Sequence, residues 1–128
     1  MRVKVRVPAT TANLGPGFDA LGMALDLYNY VEMEEAQDVT ITVTGEGETR
    51  LPVASDNIAL IAAREVYRLA GRLGAGLSIR LTNGIPLSRG LGSSAAARVG
   101  ALVAANELCD GLLDIETLLK VATRLEGH

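Results

Sequence analysis

Residues 84–108 read GIPLSRGLGSSAAARVGALVAANEL, a segment that begins as a glycine-containing loop and continues as an alanine-rich helix. Glycine weakens a helix and an ordinary turn needs only one, so Gly90 and Gly92 directly before two serines call for an explanation. Without Cβ atoms in the way, backbone N–H groups here can converge on one point, and a helix that starts near Ser93 or Ser94 adds its own N-terminal amides. The segment therefore predicts an anion site, most naturally for a phosphate.

The same letters have a simpler explanation, because a glycine loop can precede a helix whose serines only cap it. Two better-known phosphate motifs are excluded. Nothing here reads G-K-[ST], and Arg89 is the only cation inside the loop, so this is no Walker A motif. The dinucleotide fingerprint needs G-x-G-x-x-G after the first strand of a βαβ unit, and this loop does not match it.

The composition limits the classes of protein to which this chain can belong. The chain has 128 residues, 12 Lys and Arg against 15 Asp and Glu, a net charge of −3, and a length that fits one compact domain. Scarce aromatic residues and the absence of a basic block argue against a nucleic-acid partner. No leader pattern and no bilayer-length apolar run occur, which predicts a cytoplasmic protein. Cys109 cannot form an internal disulfide and is predicted to be a buried structural thiol.

Alternation of side chains predicts strands. Basic residues alternate with valine over 2–7 until Pro8, residues 21–35 are extended, and residues 39–44 alternate as VTITVT. A further alternation over 77–82 predicts another strand. Residues 8–19, PATTANLGPGFD, are rich in proline, glycine and small polar residues, which predicts a loop without regular structure.

Helices are predicted after residues 55–57, SDN, which are N-cap candidates, at the alanine-rich segment, and after Asp114. The apolar stripes expected to face the core are Ile58, Ile61, Val66 and Leu69 on the first helix, and Ile115, Leu118, Leu119, Ala122 and Leu125 on the last. The order of elements predicts an α+β fold, with helices packed on one face of a mainly antiparallel sheet.

Two separate motifs resemble one known family. Pro86 followed by GLGSSA over 90–95 matches the phosphate-loop signature P-x-x-x-G-L-G-S-S-A of the GHMP small-molecule kinases. Residues 8–25, PATTANLGPGFDALGMAL, resemble the homoserine kinase branch of those enzymes. The resemblance implies a ribosomal S5 domain 2-like α+β fold, with ATP phosphates over the glycine loop and Mg²⁺ beside them.

The resemblance also implies a role for particular residues. Asn13 and Asp19 match positions that contact homoserine, Asp19 being suited to the substrate ammonium, and His128 matches the first residue of an H-x-D-N element near the substrate. Ser94 and Glu126 match the magnesium ligands. ATP contacts are expected from Asn57, which matches the position that reads the adenine edge, and from Pro86, Arg89, Gly90, Leu91, Gly92, Ser93, Ser94 and Ala95.

Without the resemblance, each of these two residues has a simpler explanation. Glu126 could be a solvated glutamate at the end of a helix, and His128 could be a surface histidine. No general base is assigned, because holding the ammonium would occupy Asp19. A homo-oligomer is left open.

The implied reaction is phosphorylation of the hydroxyl of L-homoserine, a step of threonine biosynthesis. The resemblance implies that residues 1–128 form the N-terminal, ATP-binding domain, and that the second domain, which family members carry after the H-x-D-N element, is absent from this chain. Two alternatives remain at this point. One is a related kinase acting on mevalonate or another small alcohol, and the other is a non-catalytic S5-like binding module, against which net acidity and scarce aromatics weigh.

Overall fold

A computed structural model describes residues 1–11, 23–45, 57–72, 76–85 and 93–126 of the chain. Within these ranges the chain forms four strands and three helices, of which the strands are β1 (Arg2–Thr11), β2 (Met23–Ala36), β3 (Thr40–Gly45) and β4 (Gly76–Asn83). The helices are α1 (Ile58–Leu69), α2 (Ser93–Leu108) and α3 (Ile115–Glu126). None of the helices in these described ranges is long and apolar enough to cross a membrane.

The strands form one sheet in the order β1-β2-β4-β3. β1 and β2 pair antiparallel, as do β2 and β4, whereas β3 and β4 run parallel. Parallel neighbours need a crossover connection, and α1 lies between β3 and β4 in the chain. The α+β fold with a mainly antiparallel sheet is confirmed.

β1 extends further than the sequence predicts. The sequence predicts a loop that begins at Pro8. In the structure the strand continues to Thr11, with a shift of register between Pro8 and Ala9. Proline removes a ladder donor, but β1 lies at the edge of the sheet, and edge strands and bulges are where proline is tolerated. The prediction of irregular structure was therefore wrong for residues 8–11, and residues 12–19 lie outside the described ranges.

The core lies where α1 and α2 pack against the sheet. α2 contacts β1, β2 and α1, and most of its buried side chains are alanines. Close approach is required at Gly100, because a Cβ there would lie 2.7 Å from Cγ2 of Val31. Small residues thus bring the middle of α2 close to the strands. Cys109, just after the helix, is fully buried, as predicted.

The predicted stripes on the outer helices are only partly correct. On α1, Val66 is buried as expected, but Ile61 and Leu69 are exposed while Ala62 and Ala63 are buried. On α3, Ile115 and Leu119 are exposed, and the core contact is made by Val121 with partly buried neighbours. The helix positions themselves agree with the sequence, including the cap by Asp114, whose Oδ1 accepts the N–H of Thr117 at 2.8 Å.

Candidate functional site

Many of the residues predicted for the site fall outside the described ranges: Asn13, Asp19, Pro86, Arg89, Gly90, Leu91, Gly92 and His128. Of Ser93 and Ser94 the structure describes the backbone, which forms the first residues of α2. Ala95 and Asn57 lie within helices or their caps, and Glu126 is the last residue of α3. We call residues 86–92 the glycine segment. The described part of the site is therefore the framework that surrounds this segment.

The start of α2 has the electrostatic character that an anion site needs. The helix begins at Ser93 with no acidic residue in its first turn, so no carboxylate of its own neutralises the positive end of the helix dipole. A 16-residue helix presents its first amides beyond the reach of its own carbonyls, and those donors point away from the helix body. This arrangement suits a phosphate at the N-terminus of α2.

Both ends of the glycine segment are fixed in the fold. Ile85, the last described residue before it, is completely buried and packs with Ala96, in the first turn of α2, and with Val7 of β1. The backbone N–H of Ile85 also donates to Oδ1 of the buried Asn29 on β2, at 3.1 Å. Residues 85 and 96 are thus in one apolar cluster, so the described residues on either side of the segment lie close together at the start of α2.

Asn57 is the N-cap of α1. Its Oδ1 accepts the N–H of Ala59 at 2.8 Å and the N–H of Leu60 at 3.2 Å, and its side chain is buried. This is the geometry by which asparagine satisfies the first amides of a helix. The carboxamide oxygen is therefore committed to the helix, and the predicted contact with adenine stays a prediction for the amide end of the side chain.

Glu126 contacts Arg98 on α2, one helical turn after Ser94. Nη1 of Arg98 lies 2.7 Å from Oε1 of Glu126, and the two side chains are only 20% and 21% exposed. That buried oxygen has no hydrogen-bond partner of adequate geometry, so the contact with Arg98 is an ion pair without an aligned hydrogen bond. The structure thus brings the predicted metal ligand to the first turns of α2, as a carboxylate that still has acceptor capacity.

The described residues contain no cluster of three or more histidine, cysteine or acidic side chains that could hold a metal ion. A cation bound by Glu126 would therefore depend on other oxygen donors. Mg²⁺ often binds in this way, through one or two protein ligands together with phosphate oxygens and water. Glu126 fits this kind of site as a single carboxylate ligand, because the described residues do not surround it with further acidic, histidine or cysteine ligands.

Sequence reasoning missed two residues of this framework, Asn29 and Arg98. Asn29 had a detectable signal, because it lies on the same face of β2 as Val31 and Met33 and is a polar residue among apolar ones. Arg98 had none, since its partner Glu126 is distant in the sequence and belongs to another helix.

Comparison with known proteins agrees with the fold. The family model of the GHMP kinases N terminal domain matches residues 57–128, more than half of the chain. The chain therefore belongs to the GHMP kinase family. Among solved structures, the mevalonate kinase of Methanococcus jannaschii superposes with a TM-score of 0.73 over 98% of this chain and 46% of its own, at 19% identity, which shows a shared fold.

Within that family, the similar relatives are homoserine kinases. The homoserine kinase of Moorella thermoacetica is 53% identical over 97% of this chain, and that of Corynebacterium urealyticum is 45% identical over 99%. The crystal structure of homoserine kinase from Cytophaga hutchinsonii superposes with a TM-score of 0.82 at 33% identity, covering 98% of this chain and 41% of its own. The chain spans 42% of the length of the two curated relatives.

Proposed function

We propose that the protein containing these residues transfers the γ-phosphoryl group of ATP to the side-chain hydroxyl of L-homoserine. The observation that carries the proposal is the 53% identity to a homoserine kinase across 97% of this chain. In the reaction the hydroxyl oxygen bonds to the γ-phosphorus, the bond from that phosphorus to the β–γ bridging oxygen breaks, and ADP leaves. The hydroxyl proton is released, and no side chain is assigned to accept it.

Residues 1–128 would supply the nucleotide-binding domain of that enzyme. Phosphoryl transfer depends mainly on positioning and on neutralising charge, so backbone amides at the start of α2 and in the glycine segment can contribute directly. Glu126 and Ser94 would hold Mg²⁺, which when bound neutralises charge on the phosphate oxygens. The framework that fixes residues 85 and 96 supports this role, because it holds the residues that flank the segment together near the helix N-terminus.

The acceptor side of the reaction rests on residues outside the described ranges. Asn13 and Asp19 are proposed to bind homoserine, with Asp19 on its ammonium group, and His128 is proposed to approach the same substrate. Threonine biosynthesis as the pathway, and the cytoplasm as the location, stay predictions from the sequence.

The proposal can be tested on the full-length protein by calorimetric titration with Mg-ATP and by an assay of phosphoryl transfer. Ser94→Ala is expected to weaken Mg-ATP binding about tenfold, because it removes a predicted ligand of the metal and phosphate. Ser78→Ala is the matched control, since Ser78 lies on β4, whereas the strands that α2 packs against are β1 and β2, and it should leave binding unchanged.

A panel of acceptors identifies the substrate. Homoserine should be phosphorylated far faster than mevalonate or other small alcohols. Preference for another alcohol would reassign the protein within the superfamily. A folded full-length protein that neither binds Mg-ATP nor phosphorylates any acceptor would contradict the proposal and favour the non-catalytic S5-like module.

A further inference from the structure

Asn29 occupies a position where a polar side chain is costly. It lies on the core-facing side of β2 with Val31 and Met33, and it is only 1% exposed. A carboxamide in such a place is tolerated when it is hydrogen-bonded, because its transfer out of water is otherwise unfavourable. Its Oδ1 accepts the backbone N–H of Ile85 at 3.1 Å, a contact between residues 56 positions apart in the sequence.

The bond to Asn29 continues the pairing of β4 with β2 beyond the end of the strand. The ladder ends with Asn83 opposite Asn29. Gly84 then donates its N–H to the carbonyl oxygen of Tyr28 at 2.9 Å, and a Cβ at position 84 would lie 2.5 Å from that same oxygen. The chain therefore runs tightly along β2 as it leaves the sheet, and the side chain of Asn29 holds the next amide, that of Ile85.

Ile85 connects this anchor to α2. Its side chain is completely buried and packs with Ala96 in the first turn of the helix and with Val7 of β1. A change in the position of Ile85 would be transmitted to the packing of the first turn of α2. It would also move the point from which the glycine segment starts, because Pro86 follows directly. Asn29 thus sets the place of one end of that segment relative to the helix N-terminus.

We propose that Asn29 is a positioning residue for the nucleotide: through the Ile85 amide it fixes the start of the glycine segment against the first turn of α2. The inference rests on the proposed function, since it assumes that this segment binds ATP phosphates. Asn29 itself touches no reacting atom. Its role is to hold backbone donors in place, and misplacement by about 1 Å can cost about a hundredfold in rate.

The chain offers a chemically matched control in Asn106. This second buried asparagine, on α2, donates from Nδ2 to the carbonyl of Leu113 at 2.9 Å and accepts from the N–H of Leu113 at 3.0 Å. It fixes the connection between α2 and α3 as Asn29 fixes the start of the glycine segment. Asn106 lies in the last turn of α2, at the end opposite the predicted phosphate site.

The experiment compares Asn29→Ala with Asn106→Ala in the full-length protein. Calorimetric titration with Mg and the non-hydrolysable analogue AMP-PNP measures nucleotide affinity, and steady-state kinetics give separate KM values for ATP and for homoserine. Asn29→Ala should weaken nucleotide affinity and raise the KM for ATP about tenfold, with the KM for homoserine unchanged. Asn106→Ala should stay within about threefold of the wild-type nucleotide affinity, even though it lowers the melting temperature.

Loss of nucleotide affinity in Asn29→Ala no greater than in Asn106→Ala would overturn the inference, because both variants would then act only through stability. A rise in the KM for homoserine as large as the rise in the KM for ATP would also overturn it, because the effect would then not be confined to the nucleotide. If Asn29→Ala does not fold, Asn29→Ser, whose hydroxyl is too short for this contact, replaces it in the comparison. A wild-type protein that binds no AMP-PNP would contradict the proposed function itself, an outcome that is distinct because it appears before any variant is made.

Discussion

Asn57 combines the N-cap of α1 with a predicted contact to adenine, and substitutions can separate these two roles. Asn57→Ala removes the acceptor for the amides of Ala59 and Leu60 and should lower the free energy of unfolding by about 1–2 kcal/mol. Asn57→Asp retains an equally good cap and should keep most of that stability. Chemical denaturation of the full-length variants measures the difference.

The adenine contact is tested with the same pair of variants. If the amide group of Asn57 reads the adenine edge, Asn57→Asp loses discrimination between ATP and GTP although it remains stable. Full discrimination in a stable Asn57→Asp protein would show that the residue serves the helix alone.

At the scale of elements, the ion pair between Arg98 and Glu126 joins α3 to α2. Both side chains are mostly buried, so their coupling should exceed that of an exposed pair. A double-mutant cycle with Arg98→Gln and Glu126→Gln is expected to give a coupling energy of about 1–2 kcal/mol, measured by chemical denaturation without nucleotide.

The control cycle uses Arg124 and Glu65, which join α3 to α1. Nη2 of Arg124 lies 3.3 Å from Oε2 of Glu65, but the Arg124 side chain is 57% exposed. Its coupling should stay below about 0.5 kcal/mol. Equal couplings in the two cycles would mean that burial of Arg98 and Glu126 adds nothing to their interaction.

The N-cap of α3 gives the domain a defined response to acid. The side-chain hydroxyl and the backbone N–H of Thr117 bond to Asp114 and hold the pKa of its carboxyl below the usual value. A group whose pKa is lower in the folded state stabilises the fold above its unfolded pKa of about 3.9, and this contribution is lost as the pH falls through the folded value. Asp114→Ala should therefore have a lower melting temperature than the wild type at pH 7, and the difference should shrink below about pH 4.

Asp114→Asn separates the charge from the cap, because asparagine also caps helices but does not titrate. Its melting temperature, relative to that of Asp114→Ala, should not show this loss on acidification. A wild-type advantage that persists unchanged at pH 3 would contradict the assignment to Asp114.

The elements themselves were accessible from the sequence because their signals are local. Caps such as Asn57 and Asp114, and alternation along β4, depend on neighbours a few residues away. The buried faces of the helices were less accessible, because alanines at Ala62 and Ala63 form core contacts while the larger Ile61 is exposed. Side-chain size is a weak guide to burial where helices approach closely, and that approach depends on partners distant in the chain.

At the scale of the whole molecule, the order of the strands in the sheet and the contacts between distant side chains were the least predictable features. The sequence predicted a mainly antiparallel sheet, but the central position of β4 between β2 and β3 depends on contacts across the entire domain. The framework of the candidate site was hard to predict for the same reason, because Asn29 contacts Ile85 and Arg98 contacts Glu126 across long stretches of sequence. Motifs indicated what the site binds, and only the fold shows what holds its described framework in place.

The central place of β4 has a consequence for synthesis on the ribosome. β1 and β2 can pair as soon as both have emerged, but β3 must wait without a partner until β4 follows some 30 residues later. Nascent chains tethered by a translation-arrest peptide should therefore generate their main folding force only after residue 83 has left the exit tunnel. A full force signal from chains that end before β4 would show that the domain folds by another order. The segment predicted to hold ATP is translated directly after β4, so it emerges from the ribosome when all four described strands are available to form the sheet.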